Sequence, residues 1–344
     1  MGKFVLYLVL TFAMTCGSVK KNDNGSPSST VVDPNAPDGV KGRVESGSEA
    51  QGFTDADKVN EIISYLASDE LQGRDSGSEG IALAATFIES RFEASGIQPY
   101  FRTFRDTLGN FEGDAYNVVG MIEGTDPELK NEFILIGAHY DHIGLIAPEN
   151  GDAIANGAND NASGTTAVLE LARYFGTVKN NKRSLIFALF SAEEKGLLGS
   201  KHLAKRLKEA NLDLYAMLNF EMIGVPLQDK DYELYITGYL KSNLAEISNA
   251  YAEGKLIGFL PTAKQYNLFF RSDNYPFFKE FGVPSHTFCT FDFTNFAYYH
   301  KVDDEVTEID VAHMADIINK MVPVVAGITN ANAQEIKMNP TSED

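Results

Sequence analysis

Continuous apolar runs alternate along this chain with segments whose apolar positions repeat at helical spacing. Three runs, over 133–138, 184–190 and 214–220, are apolar enough to predict strands buried on both faces. Shorter strands are predicted over 100–108, 116–122, 232–237 and 285–288. Helices are predicted over 54–67, 81–96, 165–175, 197–210, 242–252, 274–281 and 307–328. This alternation predicts an α/β fold: a three-layer αβα sandwich around a central mixed, mainly parallel sheet, in a single domain.

The N-terminal segment lacks this periodicity. Lys3 and the apolar run 4–14, which is too short to span a bilayer, predict a signal peptide over 1–15. Cys16 follows small residues directly after the run, which resembles a bacterial lipoprotein signal, and 16–52 is then a lipid-attachment cysteine with a flexible tether. Ordinary signal cleavage and secretion is the alternative. Both place the protein outside the cytoplasm, in the cell envelope or secreted.

Charge narrows the range of partners. The 344 residues carry 29 basic and 48 acidic side chains, a net charge of −19. Nucleic acids and anionic membranes attract basic surfaces, so we expect neither as a partner, and membrane contact only through a lipid at Cys16. The second cysteine, Cys289, lies in an unrelated apolar segment, so no disulfide framework is indicated.

Polar side chains follow the three long strands where each one ends. His139 and Asp141 follow the first, Glu193-Glu194 the second and Glu221 the third. Because the carboxyl ends of parallel strands meet at one edge of a sheet, we expect these side chains to lie close together. Two more polar stretches accompany them in the sequence: NGANDNASG (156–164), which contains Asp160, and YYHKVDDE (298–305), which contains His300.

Imidazole and carboxylate groups gathered in this way indicate a metal site. Unpaired buried carboxylates are costly, and a cation removes that cost. The residue types suit Zn²⁺, with Mn²⁺ or Co²⁺ as alternatives. A shared carboxylate with one His and one acid on each side holds two ions about 3.5–4 Å apart. The assignment that fits is His139 and Glu221 on one ion, Glu194 and His300 on the other, and Asp160 between them.

Each of these residues also has an ordinary structural explanation. A strand-end histidine is usually a satisfied polar group, a Glu-Glu pair is usually solvated, and acids before a helix usually cap it. Their joint placement favours the metal site. The remaining histidines, His142, His202, His286 and His313, lack such neighbours in the sequence and are left out of the predicted site.

Taken together, these motifs resemble the di-zinc aminopeptidases of the clan MH metallopeptidases, which are related to glutamate carboxypeptidase II, the transferrin receptor and the glutaminyl cyclases. The motifs are GAHYDHIG (137–144), NGANDNASG (156–164), SAEEKGLLGS (191–200), NFEMIG (219–224), SDNYPFFKEFGVPS (272–285) and YYHKVDDE (298–305). The resemblance implies a zinc exopeptidase, or phosphorylase/hydrolase-like, fold. It also implies a metallopeptidase catalytic domain over 53–335 and a polar tail over 336–344.

The resemblance also implies individual roles. Glu193 would be the general base that takes a proton from water, and Asp141 would orient His139 through a hydrogen bond. Two zinc ions would be bound by His139, Asp160, Glu194, Glu221 and His300. A cis peptide would follow the bridging acid, at Asp160-Asn161.

Two departures stand out. Glu221 takes the place of the family's usual Asp, and SDN at 272–274 replaces the usual SDH. The first bears on the geometry of one metal site and the second on contacts with the substrate.

The activity implied is that of a zinc-dependent exopeptidase, specifically an aminopeptidase that releases N-terminal residues from peptide substrates. A glutaminyl cyclase-like acyltransferase with one zinc is an alternative, and a non-catalytic peptidase-like binding protein is another. A carboxypeptidase would need a basic pocket for the substrate carboxylate, and the sequence does not identify one.

Overall fold

The computed structural model describes residues 52–340, and all of them fall within one compact unit. The predicted signal peptide, Cys16 and nearly all of the tether lie outside the described residues, as do residues 341–344. The described helices are α1 (Ala56–Leu66), α2 (Glu79–Ala94), α3 (Gly164–Val178), α4 (Leu198–Glu209), α5 (Leu244–Tyr251), α6 (Pro261–Gln265), α7 (Asn274–Phe281) and α8 (Val311–Asn330).

The strands confirm the apolar runs in the sequence. The three longest central strands begin and end within one residue of their predicted bounds. The described strands are β1 (Gln98–Pro99), β2 (Arg105–Thr107), β3 (Tyr116–Ile122), β4 (Phe133–His139), β5 (Gly144–Glu149), β6 (Asp152–Ala155), β7 (Ser184–Phe190), β8 (Leu214–Phe220), β9 (Leu234–Ile236), β10 (Ile257–Gly258) and β11 (Ser285–Cys289).

In the described part of the chain, nine strands form one mixed sheet in the order β1-β3-β7-β4-β8-β11-β9-β10, with β2 also paired to β3. The central strands β7, β4, β8 and β11 are parallel, and β10 pairs parallel with β9. The remaining pairings, at β3 and between β11 and β9, are antiparallel. The predicted mixed sheet is confirmed, with its parallel pairings concentrated at the centre, where both faces are covered.

Helices cover both faces of the sheet, because successive side chains of a strand point to opposite faces. On β4, Ile134 and Ile136 pack into the cluster that contains residues of α1, α2, α3, α5 and α8. Between them, Leu135 packs into a second cluster with Leu203 of α4 and Phe277 of α7. The three-layer αβα prediction is therefore confirmed.

Side chains cap the first two helices. The Ser78 hydroxyl caps α2 by accepting a hydrogen bond from the Ile81 amide at 3.3 Å. The Asp55 carboxylate caps α1 by accepting from the Lys58 amide at 3.0 Å. The Thr54 amide, just before this cap, donates to Asn319 of α8.

Other differences lie in the short elements. The strand predicted over 100–108 is reduced to β2, and that over 232–237 is reduced to β9; β1 lies just before the first of these ranges. The hairpin of β5 and β6 was not predicted.

The C-terminal part of the described chain packs on the domain. Helix α8 is long and apolar enough to cross a membrane, but 61 % of its most apolar 18-residue window is buried in the protein, as in the core helix of a globular domain. Beyond it, Ile336 is buried, and its amide donates to the Tyr215 hydroxyl at 2.7 Å. The Asn339 amide donates to the Lys241 carbonyl at 2.8 Å. Residues 336–339, assigned from the sequence to a polar tail, thus contact the domain.

Candidate metal centre

The central strands bring the predicted site residues to one edge of the sheet. His139 is the last residue of β4, and Glu221 directly follows β8. Glu193 and Glu194 come shortly after β7, which pairs parallel with β4. Asp160 lies between the β5–β6 hairpin and α3, in a segment that faces this edge. The expectation from strand order alone is met: these side chains occupy one region of the molecule.

Asp160 is at the centre of the group. Its Oδ1 lies 3.3 Å from His139 Nε2, and its Oδ2 lies 3.2 Å from His300 Nε2. The same His300 nitrogen is 3.1 Å from Glu194 Oε1. Burial alone would raise the pKa of Asp160, but its contacts with His139 and His300 hold that pKa far below its ordinary value. The carboxylate is therefore ionised, and its two oxygens face different imidazoles.

His142 joins this group, although the sequence analysis left it out. Its Nδ1 lies 3.2 Å from Glu194 Oε1 and 3.9 Å from Asp160 Oδ2. Ligand atoms of His142, Asp160, Glu194 and His300 all lie within 4.8 Å of one another. The prediction that His142 lies outside the site is wrong, because the chain after β4 turns the His142 ring toward Glu194, which is distant in the sequence.

Glu221 is placed differently from the other predicted ligands. It lines the same cavity as His139, Asp160 and Glu193. However, its Oε2 accepts a short hydrogen bond from the Ser272 hydroxyl. Burial raises the pKa of Glu221 to about 7. The Glu221 carboxyl is thus near the group but is held by Ser272.

Asp141 connects the histidine loop to the acidic pair. Its carboxylate accepts from the Glu193 amide at 3.1 Å and the Glu194 amide at 3.3 Å. The Ser76 hydroxyl also donates to it, at 3.1 Å. His139 Nδ1 is 3.7 Å from the Asp141 carboxylate but 3.1 Å from the Asp141 backbone carbonyl. The predicted hydrogen bond to His139 is thus made by the backbone of Asp141, while its side chain positions Glu193 and Glu194.

This arrangement fits a cation. With its Nδ1 proton donated to the Asp141 carbonyl, His139 presents the lone pair of Nε2 to Asp160 Oδ1. Two electron-pair donors 3.3 Å apart repel each other unless a proton or a metal ion lies between them. On the other side of Asp160, two imidazoles and two carboxylates converge. Nitrogen and oxygen donors of this kind are those that zinc prefers.

Glu193 lies in the wall of the cavity, beside the group. Burial and the nearby carboxylates of Glu221 and Asp273 raise its pKa well above the ordinary value, against the opposing effect of His139. A buried carboxylate with a raised pKa is suited to accept and return a proton.

The loop that carries Asp160 is held by its own side chains. Asn161 Oδ1 accepts from the amides of Met222 and Gly164, both at 3.0 Å. The Asp160-Asn161 peptide is cis, as the resemblance implies. The Ser163 hydroxyl, just before α3, donates to the Asn159 carbonyl and accepts from the Ile223 amide. The loop is thereby fixed to the segment that follows β8.

Two residues that support this loop were not assigned from the sequence. The Asp304 carboxylate accepts from the Asn159 amide at 2.7 Å and the Asp160 amide at 3.0 Å. Arg74 is 1 % exposed, and its guanidinium donates to the carbonyls of Asn156 at 2.6 Å, Gly157 at 2.9 Å and Tyr140 at 2.9 Å. Its fourth acceptor is the Leu66 carbonyl at the end of α1. An arginine among small polar residues carries no sequence signal for such a role.

The SDN segment packs inside the domain and also reaches the cavity, which Ser272 lines. Ser272 contacts Glu221, as described, and Asn274 donates to the carbonyls of Phe269 and Ser285, both at 3.2 Å. Asp273 is fully buried. The expectation that this segment bears on contacts with the substrate stays a prediction.

The cavity over the group has a volume of about 400 Å³, within the range of small-ligand sites. Its lining includes His139, Asp160 and Glu193. Another part of its wall is aromatic and includes Phe270 and Phe293, both partly exposed. A polar, acidic group beside an aromatic wall suits a molecule with one polar reacting group and one apolar side chain.

Comparison with known proteins identifies the family. The model of peptidase family M28 matches residues 117–325, which is more than half of the chain. The chain is 31 % identical over 178 residues to a probable zinc metalloprotease of Pyrenophora teres f. teres, covering 48 % of this chain and 37 % of that protein. It is 28 % identical over 210 residues to leucine aminopeptidase 1 of Arthroderma otae, covering 56 % of this chain and 52 % of that protein. The chain thus spans about half or less of the length of these relatives.

Solved structures agree on the fold. The LapA aminopeptidase of Legionella pneumophila superposes with a TM-score of 0.63 at 22 % identity, over 83 % of this chain and 74 % of that one. A glutaminyl cyclase of Bacteroides thetaiotaomicron superposes with a TM-score of 0.62 at 17 % identity, over 79 % and 97 % of the two chains. With the family match, the fold and the donor set in agreement, the chain belongs to peptidase family M28.

Proposed function

We propose that the protein is a zinc-dependent aminopeptidase that hydrolyses the N-terminal peptide bond of peptide substrates. The observation that carries the proposal is the group around Asp160, which lies at the floor of a cavity beside a buried glutamate, Glu193. The family match supports a metallopeptidase, and relatives named leucine aminopeptidase support an exopeptidase.

We further propose that the centre holds two zinc ions bridged by Asp160. The support is the opposite orientation of its two oxygens: Oδ1 faces His139 and Oδ2 faces His300. His139 and Glu221 would bind one ion, and Glu194 and His300 the other. When bound, zinc lowers the pKa of a water molecule and polarises the substrate carbonyl.

The chain's own residues supply the proton transfers. Glu193 takes a proton from the attacking water and returns it to the nitrogen of the leaving amine. Its backbone amide is held by the Asp141 carboxylate, which fixes the direction of the side chain. The aromatic wall around Phe270 and Phe293 receives the side chain of the N-terminal residue and excludes water from the reacting bond.

The test is hydrolysis of aminoacyl amides and short peptides by the zinc-loaded protein, measured as release of the free N-terminal residue. In the same assay, Glu193→Gln should lose about 10²- to 10⁴-fold in kcat while keeping its zinc and its circular dichroism. Glu209→Gln, at an exposed position of α4, is the matched control and should retain wild-type turnover.

Other results would point to other functions. Unchanged turnover of Glu193→Gln would remove Glu193 from the mechanism. One bound zinc together with pyroglutamate formation from glutaminyl peptides would identify a cyclase, the activity named for one of the structural neighbours. Zinc binding without turnover of any aminoacyl substrate would indicate a binding protein.

For location, we propose a cell-envelope lipoprotein attached through Cys16. The support is the sequence alone: a short apolar segment over 4–14, then small residues and a cysteine, then a linker rich in Gly and Ser. A lipid on Cys16 would let the catalytic domain act on peptides outside the cytoplasm, and the acidic chain would contact neither nucleic acid nor anionic lipid directly.

A further inference from the structure

We infer that His142 is a metal ligand, and that it closes the Glu194–His300 side of the centre as a four-ligand site formed by His142, Asp160, Glu194 and His300. The inference rests on the proposed zinc centre. It adds a residue to the predicted ligand set, so that the two ions would have different numbers of protein ligands.

The distances are those of a four-coordinate site. Ligands at about 2.0–2.1 Å from a tetrahedral zinc ion lie about 3.4 Å from one another. His300 Nε2 is 3.1 Å from Glu194 Oε1 and 3.2 Å from Asp160 Oδ2. His142 Nδ1 is 3.2 Å and 3.9 Å from the same two oxygens. Each imidazole thus stands about one tetrahedral edge from both carboxylates, and one ion between them satisfies all four.

The surroundings leave the His142 ring only one polar direction. The side chain is completely buried, and its ring packs edge-on against that of His300, with the centroids 5.6 Å apart. On the other side the ring lies against Gly157, where a Cβ atom would stand 2.5 Å from ring carbons. Within the part of the chain that is described, His142 Nε2 has no hydrogen-bond partner. Only Nδ1 is used, and it faces Glu194 and Asp160.

The other side of Asp160 offers fewer metal-binding groups. His139 and Asp160 Oδ1 are 3.3 Å apart, but the neighbouring Glu221 is engaged by the Ser272 hydroxyl. Closed four-ligand zinc sites bind tightly and serve structure, whereas catalytic sites keep a position for water or substrate. The ion at the His142 site should therefore bind first and be retained, and the ion beside His139 should exchange with solvent and meet the substrate.

A hydrogen bond from His142 to Glu194 is the competing explanation, and His142→Asn separates the two. The asparagine amide can take the place of the Nδ1 donor, but it is a poor zinc ligand. His142→Ala removes both functions. His313→Asn, on α8 away from the centre, is the matched control. The dissociation constant of the tighter zinc is measured by competition with chelators of graded affinity, and far-UV circular dichroism of the zinc-free proteins checks folding.

We expect both His142→Asn and His142→Ala to raise the dissociation constant of the more tightly bound zinc ion by more than about 100-fold. Loss of a hydrogen bond to a metal ligand raises it by less than that. The control variant should bind this ion as the wild type does. A His142→Asn dissociation constant within tenfold of wild type would overturn the inference. A second measurement needs no variant: X-ray absorption of wild-type protein loaded with one equivalent of zinc should show two imidazoles on that ion. One imidazole would also overturn the inference.

These results are distinguishable from failure of the proposed function. If the wild-type protein binds no zinc, the peptidase proposal itself fails. If it binds zinc and hydrolyses aminoacyl substrates but shows one imidazole on the tighter ion, only the role of His142 is wrong.

Discussion

Replacing Arg74 with methionine tests how much of the centre is held by a residue that touches none of the proposed ligands' side chains. The buried guanidinium donates to four backbone carbonyls, at Leu66, Tyr140, Asn156 and Gly157. These carbonyls belong to the end of α1, the exit of β4 and the loop before Asp160. Arg74→Met removes all four hydrogen bonds at nearly constant apolar volume.

The expected magnitude follows from the net contribution of these hydrogen bonds. A hydrogen bond to a charged donor contributes about 1.5 kcal/mol at the low end once desolvation is included, so the four together contribute about 6 kcal/mol. Burial lowers the pKa of Arg74 from 12.5 to about 10, so the guanidinium is still charged at pH 7. The free energy of unfolding should therefore fall by about 6 kcal/mol in Arg74→Met.

Urea unfolding followed by far-UV circular dichroism is a suitable assay, because the chain contains no tryptophan. It should be run with a chelator present, so that zinc binding does not contribute. Arg74→Lys keeps the charge but offers three donors from one nitrogen, and should lose less than Arg74→Met. Arg102→Met, at an exposed position, should change stability by less than about 0.5 kcal/mol. A loss below 1 kcal/mol in Arg74→Met would refute this reasoning.

Two further predictions concern acid stability and the lipid anchor. His286 is buried, with its ring nitrogens 2.8 Å from the Thr237 carbonyl and 2.7 Å from the Ser242 hydroxyl, and burial lowers its pKa to about 4. Between pH 6.5 and 4 only the unfolded chain binds this proton. As the pH falls through that range, the free energy of unfolding of the zinc-free wild-type protein should therefore drop by about 3 kcal/mol more than that of His286→Gln. Free energies from urea unfolding that fall in parallel for the two proteins would contradict this. In a bacterial host that processes lipoproteins, Cys16→Ser should abolish incorporation of labelled palmitate and release the protein from the membrane fraction, and labelling that persists would place the lipid elsewhere.

The sequence predicts the centre of this fold well because burial on both faces leaves a strong pattern. Strands β7 and β8 have the predicted bounds, and β4 is longer by one residue. At the edges the pattern weakens, since one face meets solvent and strands become short. There the predicted strand over 100–108 is reduced to β2, and the sequence pattern does not predict the β5–β6 hairpin.

Side-chain contacts across long sequence separations are what the sequence does not predict. Strand order places Glu194 near His139, because both follow neighbouring parallel strands. The contact of His142 with Glu194 depends on the path of the chain after β4, which periodicity does not describe. Glu221 was recognised as unusual from the sequence, but its engagement by Ser272 depends on the packing of α7 against β8.

The long separations within the centre also set an order of events for a newly made chain. Asp304 holds the Asn159 amide across 145 positions, and His300 meets Glu194 across 106. Ribosomes release the N-terminal part of a chain first, so the histidine loop and Asp160 emerge long before their last partners. No truncated product ending before residue 300 can complete the centre, and a chain exported unfolded would acquire its metal only at its destination. Metal supply at that destination, rather than in the compartment of synthesis, would then decide which ion the protein carries.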